Sequence, residues 1–556
     1  MMPSTREPGH DLLTMADGAV RAMEGLLADA VAKLRGRLIV QGRVVARLFD
    51  REQRATHGLA WLATYVEALR QLAAYADRIS ATDQLGEIEE LIIRIGFGEY
   101  LAQIFGGIPM NQGEIARLSD MGLTRNDVSG RMTAFVEALI ASGNTALRRA
   151  RLVELLRAHH DCTPGTPGLD DTLESIRDEM RRFTVSEVVQ QAQRWDLTDS
   201  YISPDVIVHM TELRVFGLTI PEEYLGMGLG KQGMCVAAEE LSRGYLGVGS
   251  LAMGSEIAAD LVLHHGTEQQ RRRWLTKIAR GQVLAAVAFA ESDSGSDLAS
   301  VRTRAVLSGD SYSISGSKIW VAHAAGADLL LLLVRTNPND ESHRGLSILL
   351  AEKSRADDKR QFSVPGLSGI ETPVIGYRGL KQYEVTFDGF QVPASGLIGG
   401  VEGTGFTQAM HALESARIQT AARSVGVAQS AVDQAVGYAT KRIQSGAQLI
   451  GEPRVADKIA MMATEIAVAR QLTYAAARRR DADVRSDMSA AMAKLLAARV
   501  AWAAADTAAQ VHSANGVAAE SPVSRILADA RVLSILEGSA EILAQVVARR
   551  LLEEAD

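Results

Sequence analysis

Apolar residues recur at helical spacing through the first 160 residues of the chain. One such stretch, 86–109, has Gly106 and Gly107 near its end and Pro109 just beyond them, which is a typical helix stop. We therefore predict an N-terminal helical extension over 1–160, with packing or oligomerisation as its role. The clearest stretch is 57–79. Its apolar stripe is formed by Leu59, Leu62, Val66 and Leu69 and is widened by Trp61 and Tyr65.

The pattern changes three times after this extension. The sequence DCTPGTPG, with two prolines and two glycines, predicts a linker over 161–169. Helical periodicity returns over 170–285, short β-prone runs occupy 286–396, and helical periodicity resumes over 397–556. The β-prone runs are 301–319, 329–334, 346–351 and 384–392, and the long C-terminal helical segments are 405–443, 453–482, 487–512 and 520–552. The fold class expected is mainly α with an inserted β-domain and a C-terminal helical bundle.

Composition and charge narrow the function classes. The 556 residues are 47% hydrophobic with a net charge of −8, which gives no reason to expect nucleic acid as a partner. Cys162 and Cys235 stand in no metal-binding pattern, so we expect reduced thiols, no metal site and a cytoplasmic location. The first residues lack the pattern of a secretory signal, and the densest apolar run, 329–334, is far too short to span a membrane.

Three short segments have the composition of a chemical site. FAESDSGSD (289–297) offers small hydroxyl residues whose backbone amides can approach a phosphate, although a plain surface turn is the simpler explanation of this segment alone. In GSKIWVA (316–322), Trp320 is either a core residue or the wall against which a planar cofactor rests. In SILEGSAEI (534–542), Glu537 stands before a glycine where a helix should stop, as either a solvated helix-end carboxylate or a desolvated general base.

Taken together and in this order, these segments resemble the acyl-CoA dehydrogenase family. The stretches that carry the resemblance are FAESDSGSD, KIWVA, RIQSG (442–446), QVHSANG (510–516) and LEGSAEI (536–542). The resemblance covers about 170–556. The resemblance implies a helical domain, a β-domain and a four-helix C-terminal domain, with FAD bound between the last two and completed by a neighbouring subunit. Segments of the front domain, such as THGLAWLATYVEALRQ (56–71), resemble the branch of this family that oxidises (2S)-methylsuccinyl-CoA to mesaconyl-CoA.

The resemblance also implies roles for individual residues. Glu537 would remove the α-proton of an acyl-CoA thioester, and its backbone amide would bind the thioester oxygen together with a ribityl hydroxyl of FAD. Ala416 occupies the place where some family members carry the base, which leaves Glu537 as the base here. The predicted FAD contacts are Phe289, Ala290, Gly295, Ser296, Trp320, Ala322, Arg442, Gln444, Ser445, Gln510, Ala514, Ser539 and Glu541, of which Arg442 and Gln510 would reach the partner subunit's cofactor. The predicted substrate contacts are Arg417, Gly538, Ser296 and Met253.

Substrate carboxylate recognition, electron acceptor and assembly are further expectations. Arg243, Lys318 and Arg417 are candidates to bind the free carboxylate of a dicarboxylic substrate. The resemblance also implies that residues 251–261 line the acyl pocket, with Met253 and Gly254 either widening it or making it less polar. The family resemblance implies an electron-transferring flavoprotein as acceptor and a homo-oligomer that is at least a dimer.

Several positions depart from the family motifs at the expected flavin site. The departures are Ala290 and Ser292 for Thr and Pro, Ala322 for Thr or Ser, Ser445 for Phe, Ser513 and Ala514 for paired glycines, and Leu536 for Tyr. Each lost hydroxyl removes a hydrogen bond worth roughly 0.5–1.5 kcal/mol. Two alternatives therefore stay open: a paralogue with oxidase behaviour or another acyl group, and a non-catalytic relative that serves as a binding or scaffold protein.

Overall fold

The computed structural model describes residues 12–158, 163–355 and 361–553. The extension contains helices α1 Leu12–Leu38, α2 Ala46–Arg51, α3 Gln53–Ala81, α4 Glu87–Gly106, α5 Arg125–Ser129, α6 Ala134–Ser142 and α7 Ala146–Ala158. The next helical region contains α8 Asp171–Phe183, α9 Val189–Leu197, α10 Pro204–Glu212, α11 Gly230–Gly244, α12 Leu246–Ser250, α13 Met253–His265 and α14 Glu268–Ala279. The C-terminal bundle contains α15 Gly405–Lys441, α16 Pro453–Asp481, α17 Asp487–His512, α18 Pro522–Leu533 and α19 Ala540–Glu553.

Seven of the strands form one sheet between the two later helical regions. In chain order the strands are β1 Ile39–Val40, β2 Arg43–Val44, β3 Ile108–Pro109, β4 Ile115–Ala116, β5 Ala285–Ala288, β6 Arg304–Ser308, β7 Ser311–Ala322, β8 Leu329–Arg335, β9 Leu346–Glu352, β10 Leu367–Thr372, β11 Gln382–Pro393, β12 Ile443–Gln444 and β13 Ala447–Gln448. The large sheet has the order β10-β11-β7-β6-β8-β5, with β9 paired to β8, and the six remaining strands form three two-residue hairpins. Every residue of β8 is buried, as expected of a strand covered on both faces.

The architecture predicted from the sequence is confirmed, and two details differ. The helix stop predicted at Gly106 and Gly107 is confirmed, because α4 ends at Gly106 and Gly107 takes the positive φ of 128° that glycine tolerates. The two differences concern the last helices and the sheet. The segment 520–552 is not one helix, because α18 ends at Leu533 and α19 begins only at Ala540. Strands β5 and β10 carry only four and six residues and were not predicted.

The extension packs onto the C-terminal bundle, where α3 lies against α16 and α19 and α7 lies against α16. Arg149 of α7 forms an ion pair with Asp457 of α16 at 2.6 Å, and residues of both regions share one hydrophobic core. The described part of the proposed linker is held in place: the Thr166 amide donates to Glu89 at 2.8 Å, and the Pro167 carbonyl accepts from Gln471 at 3.0 Å. Asp161 and Cys162 lie outside the described residues, whereas Cys235 is a buried free thiol.

Two stretches are long and apolar enough to cross a membrane by length and composition alone. They fall within 246–265 and 487–517, and 94% and 78% of their most apolar windows are buried inside the protein. Burial of this extent is that of core helices, which use their apolar surface to pack against neighbouring helices.

Candidate active site

The break between α18 and α19 forms a tight turn around Glu537. Glu537 and Gly538 both have positive φ, 54° and 97°. Glycine adopts this conformation freely, whereas a glutamate there stores strain, and such strain concentrates at functional sites. The Ala540 amide closes the turn onto the Ser534 carbonyl at 3.2 Å, and the Glu537 side chain is half-buried.

Two buried cations surround this turn, which we call the catalytic turn (residues 534–540). Lys494, in the first third of the apolar helix α17, is fully buried and donates from Nζ to the Gly538 carbonyl at 2.6 Å. Burial lowers the pKa of Lys494 to about 7, against the opposing effect of the Glu537 carboxylate. Arg417 of α15 lies beside Gly538, and burial lowers its pKa while Glu537 again opposes the shift. The turn is thus fixed by a lysine and faced by an arginine.

A second buried ion pair organises the loop 289–297 on the sheet. Lys318 donates to the Phe289 carbonyl at 2.9 Å and to Glu291 at 2.8 Å. The same carboxylate accepts from the backbone amides of Arg302 and Thr303 at 2.8 and 2.9 Å. These bonds leave Gly295 and Ser296 exposed at the tip of the loop, where their amides are open to a ligand.

Trp320 is an unusually exposed aromatic residue on this sheet. It has a positive φ of 55° and leaves 57% of its surface open. The Ile319 amide beside it donates to the Ala290 carbonyl at 3.0 Å, which ties strand β7 to the loop 289–297. The arrangement offers a flat apolar face next to exposed loop amides, and Ala322, two residues further, is half-buried.

The remaining predicted cofactor contacts meet at one exposed end of the bundle. Arg442, Gln444 and Ser445 lie in the β12–β13 hairpin that follows α15, and Gln510 and Ala514 lie at the end of α17. The stacked rings of Tyr438 and His512, 4.2 Å apart, join the two helix ends. We call this group the hairpin end. All five predicted residues are exposed there, whereas Ser539 and Glu541 belong to the beginning of α19, next to the catalytic turn.

Two serines at the hairpin end adopt backbone conformations that favour glycine. Ser445 has φ 51°, and Ser513, one of the positions where the family motif has glycine, has φ 55° and ψ −133°. The second combination is a region populated almost only by glycine, so Ser513 is held there at a cost of about 1–3 kcal/mol.

Two of the three predicted carboxylate-binding candidates already have acidic partners in the structure. Arg243 pairs with Asp433 at 2.6 Å, and Lys318 pairs with Glu291. Gly254 does not widen a pocket either: a Cβ there would meet the Ala285 carbonyl oxygen at 2.0 Å, so this glycine lets α13 approach β5. Met253 instead places its thioether 3.1 Å from the guanidinium of Arg423.

Sequence reasoning missed Lys494 and Arg423. A signal existed for both, since each is a single cation within a long run of small and apolar residues, AAMAKLLAARV and IQTAARSVGVA. Such a residue in a helix that is apolar on all sides must be buried and requires a partner.

No metal site is expected from the sequence, but one cluster of the described residues contains the side-chain types that bind metal ions. Ligand atoms of Asp260, His264 and His411 lie within 4.8 Å of one another. Lys231 and Arg480 already approach the same carboxylate at 2.7 and 3.4 Å. Two fixed cations repel a metal ion, so the cluster is better described as a charge network.

Comparisons with known proteins agree with this geometry. Models of the N-terminal, middle and C-terminal domains of acyl-CoA dehydrogenases match residues 170–282, 286–390 and 403–552. The chain is 52% identical to (2S)-methylsuccinyl-CoA dehydrogenase of Cereibacter sphaeroides over 98% of both chains, front extension included. It is also similar to the solved butyryl-CoA dehydrogenase of Megasphaera elsdenii (TM-score 0.65, 28% identity, 69% of this chain and 99% of that one). A glutaryl-CoA dehydrogenase in complex with glutaryl-CoA is comparably similar (TM-score 0.65, 30% identity, 69% and 96%). The chain therefore belongs to the acyl-CoA dehydrogenase family.

Proposed function

We propose that this enzyme oxidises (2S)-methylsuccinyl-CoA to mesaconyl-CoA with FAD as its cofactor. The observation that carries the proposal is the strained catalytic turn, which presents Glu537 beside two buried cations. The choice of acyl group is supported by the 52% identity to a methylsuccinyl-CoA dehydrogenase over 98% of the chain. The similarity to a structure with bound glutaryl-CoA also favours a dicarboxylic substrate.

The residues around the sheet fit a bound flavin. Trp320 would pack against the ring system, and the exposed amides of Gly295 and Ser296 would approach the pyrophosphate. Phe289 and Ala290 hold the loop in place through their carbonyls, which accept from Lys318 and Ile319. FAD, when bound, supplies the acceptor for the hydride that leaves the β-carbon.

The protein itself supplies the base and the oxyanion donor. The Glu537 carboxylate removes the α-proton, and its backbone amide donates to the thioester oxygen on which negative charge develops. Lys494 positions both groups because it holds the carbonyl of the next residue, Gly538. Arg417 lies against the same glycine and stabilises negative charge at the turn.

We further infer that the cofactor site is completed by a second copy of the chain. Arg442, Gln444, Ser445, Gln510 and Ala514 point outward at the hairpin end, at the opposite end of α17 from Lys494. Exposed apolar residues lie beside them, with Ile443 64% and Val517 81% exposed, as is typical of an interface. Electrons would pass to an electron-transferring flavoprotein in the cytoplasm.

The test is anaerobic reduction of the purified yellow enzyme by (2S)-methylsuccinyl-CoA, followed at the flavin absorbance. We expect the wild type to bleach and Glu537→Gln to keep its flavin while losing reduction by about 10⁴-fold or more, since the variant has no base at the α-carbon. Unchanged reduction in the variant would refute the base assignment. Peroxide formed in air at the turnover rate would favour the oxidase alternative, which the missing hydroxyl at Ala322 motivates, and colourless protein that refuses FAD would favour a scaffold role.

A further inference from the structure

The N-terminal extension holds the far end of α19, the helix that follows the catalytic turn. The Leu552 carbonyl, at the C-terminal end of α19, accepts from Nη1 of Arg35 in α1 at 2.7 Å. One turn earlier, the guanidinium of Arg549 lies 5.2 Å from the ring of Phe49, a buried residue of α2. Two helices of the extension therefore fix the last turn of α19.

A third helix of the extension, α3, supports the beginning of α19. The two helices lie against each other, and their buried residues belong to one hydrophobic core. Burial lowers the pKa of His57 in α3, and the Glu541 carboxylate in the first turn of α19 opposes this shift, so the two side chains lie near each other. Trp61, one turn further along α3, fixes the imidazole because its Nε1 donates to Nε2 of His57 at 3.2 Å.

The beginning of α19 in turn carries the catalytic turn. Leu543 of α19 is fully buried and packs beneath Gly538, since a Cβ built on this glycine would lie 3.4 Å from Leu543 Cδ2. The Leu543 amide donates to the Ser539 carbonyl at 3.0 Å, which makes the end of the turn continuous with the helix. Only Gly538 and Ser539 separate Glu537 from α19, so a shift of this helix moves the base as well.

The opposite side of the catalytic turn is fixed by α17, through the bond from Lys494 to the Gly538 carbonyl at 2.6 Å. The turn is therefore held between a hydrogen bond from α17 and the packing of α19. Glu537 has a φ of 54°, and a strained backbone of this kind persists only where the surrounding structure enforces it. The contacts that hold α19 are thus part of what keeps the base in its conformation.

We propose that the N-terminal extension positions the catalytic base, because it clamps α19 and thereby fixes the catalytic turn. We call the contacts of Arg35, Phe49 and His57 with α19 the α19 clamp. The inference rests on the proposed function and gives the extension a part in the reaction beyond packing. In the described contacts the extension acts on the turn through α19, so the residues of the clamp are positioning residues and not catalytic ones.

The experiment compares two ways of breaking the contact between the extension and the bundle. Arg35→Met combined with Phe49→Leu loosens the α19 clamp, whereas Arg149→Met breaks the ion pair of 2.6 Å that reaches α16 instead. With flavin-loaded enzyme and (2S)-methylsuccinyl-CoA, the double variant should lower kcat about 10-fold, since a displaced base removes its proton more slowly. KM and flavin content should stay within about 2-fold of the wild type, and Arg149→Met should leave all three quantities unchanged.

A substrate with deuterium at the α-carbon separates positioning from mere loss of folded protein. The kinetic isotope effect on kcat is a ratio within one variant, so it does not depend on how much of the enzyme is folded. A displaced base makes removal of the α-proton more rate-limiting. The isotope effect should therefore increase in the double variant and stay at the wild-type value in Arg149→Met.

The outcomes distinguish this inference from the proposed function. A wild type whose flavin methylsuccinyl-CoA does not reduce overturns both. A wild type that turns over, together with a double variant that matches Arg149→Met in kcat and isotope effect, overturns only the inference, as does a double variant that loses flavin along with activity. If the double variant does not fold, His57→Leu decides: loss of the imidazole near Glu541 should lower kcat about 3-fold at unchanged flavin content, and an unchanged kcat contradicts the proposal.

Discussion

The two ends of helix α17 are built in opposite ways. Near its beginning, Lys494 is fully buried and bonded to the catalytic turn, whereas Gln510 near its end is exposed. The two positions are separated by about 24 Å, at 1.5 Å of helix rise per residue. Lys494 is enclosed by the core of its own chain, whereas Gln510 and its neighbours present polar groups to the outside.

We interpret this difference as a separation of two roles in the proposed reaction: the buried end holds the base, and the exposed end binds the cofactor of a second copy. The acid–base group and the buried cations that hold it belong to a rigid interior, which fixes their geometry before any ligand binds. The hairpin end presents polar side chains and strained serines outward. We therefore assign it to the cofactor of a second copy, and the predictions below test that division.

The largest effect is expected from loss of the exposed contacts. Replacing Arg442 and Gln510 together by Ala removes charged and polar contacts to the cofactor, so FAD affinity should fall about 100-fold. Both residues are exposed, and the free energy of unfolding measured without FAD should change by less than about 0.5 kcal/mol. Flavin titration and chemical denaturation measure the two quantities. Unchanged FAD affinity would remove the hairpin end from the cofactor site.

A smaller effect, with a distinct pH dependence, is expected at the buried end. Burial holds the pKa of Lys494 at about 7, below its ordinary 10.5, so above pH 7 the folded protein has released a proton that the unfolded chain keeps. Stability at this position therefore rises with pH between about 7 and 10. Relative to Lys494→Met, the wild type should gain about 1–2 kcal/mol between pH 7 and pH 9. Parallel stability curves for the two proteins would contradict a lowered pKa of Lys494 in the folded protein.

The smallest effect is expected from relief of backbone strain. Ser513→Gly replaces a side chain at φ 55° and ψ −133° with the residue that this conformation favours. The variant should be more stable by about 1 kcal/mol and should bind FAD at least as tightly. Ser175→Gly, at an exposed position within α8, is a control, since glycine within a helix destabilises. Destabilisation by Ser513→Gly would show that the serine hydroxyl stabilises the turn.

The sequence predicts the long helices and the sheet well because both leave strong periodic patterns. Helix α17 is predicted at 487–512, the bounds that the structure has. The sequence predicts the break at Glu537 only through the glycine that follows it. The two short strands β5 and β10 are not predicted, because four to six residues carry little periodicity.

Partnerships between distant residues could not be read from the sequence. The sequence makes Lys318 a candidate for binding substrate, whereas in the structure it pairs with Glu291, 27 positions away. Arg423 lies in no recognisable motif, and its contacts with Ser250, Met253 and Tyr377, which come from distant parts of the chain, are visible only in the structure. Pairing of buried charges is a property of the packed core, so sequence spacing alone does not reveal it.

The most direct test of a site shared between two copies is subunit complementation. One chain carries Glu537→Gln, the other carries Arg442→Ala with Gln510→Ala, and the mixed dimer is isolated with two different tags and assayed at low FAD. If each site takes its base from one chain and its hairpin end from the other, one site of the mixed dimer is intact, and about half of the wild-type activity returns although both parents are inactive. A mixed dimer as inactive as its parents would mean that each chain builds its site alone, which contradicts the account.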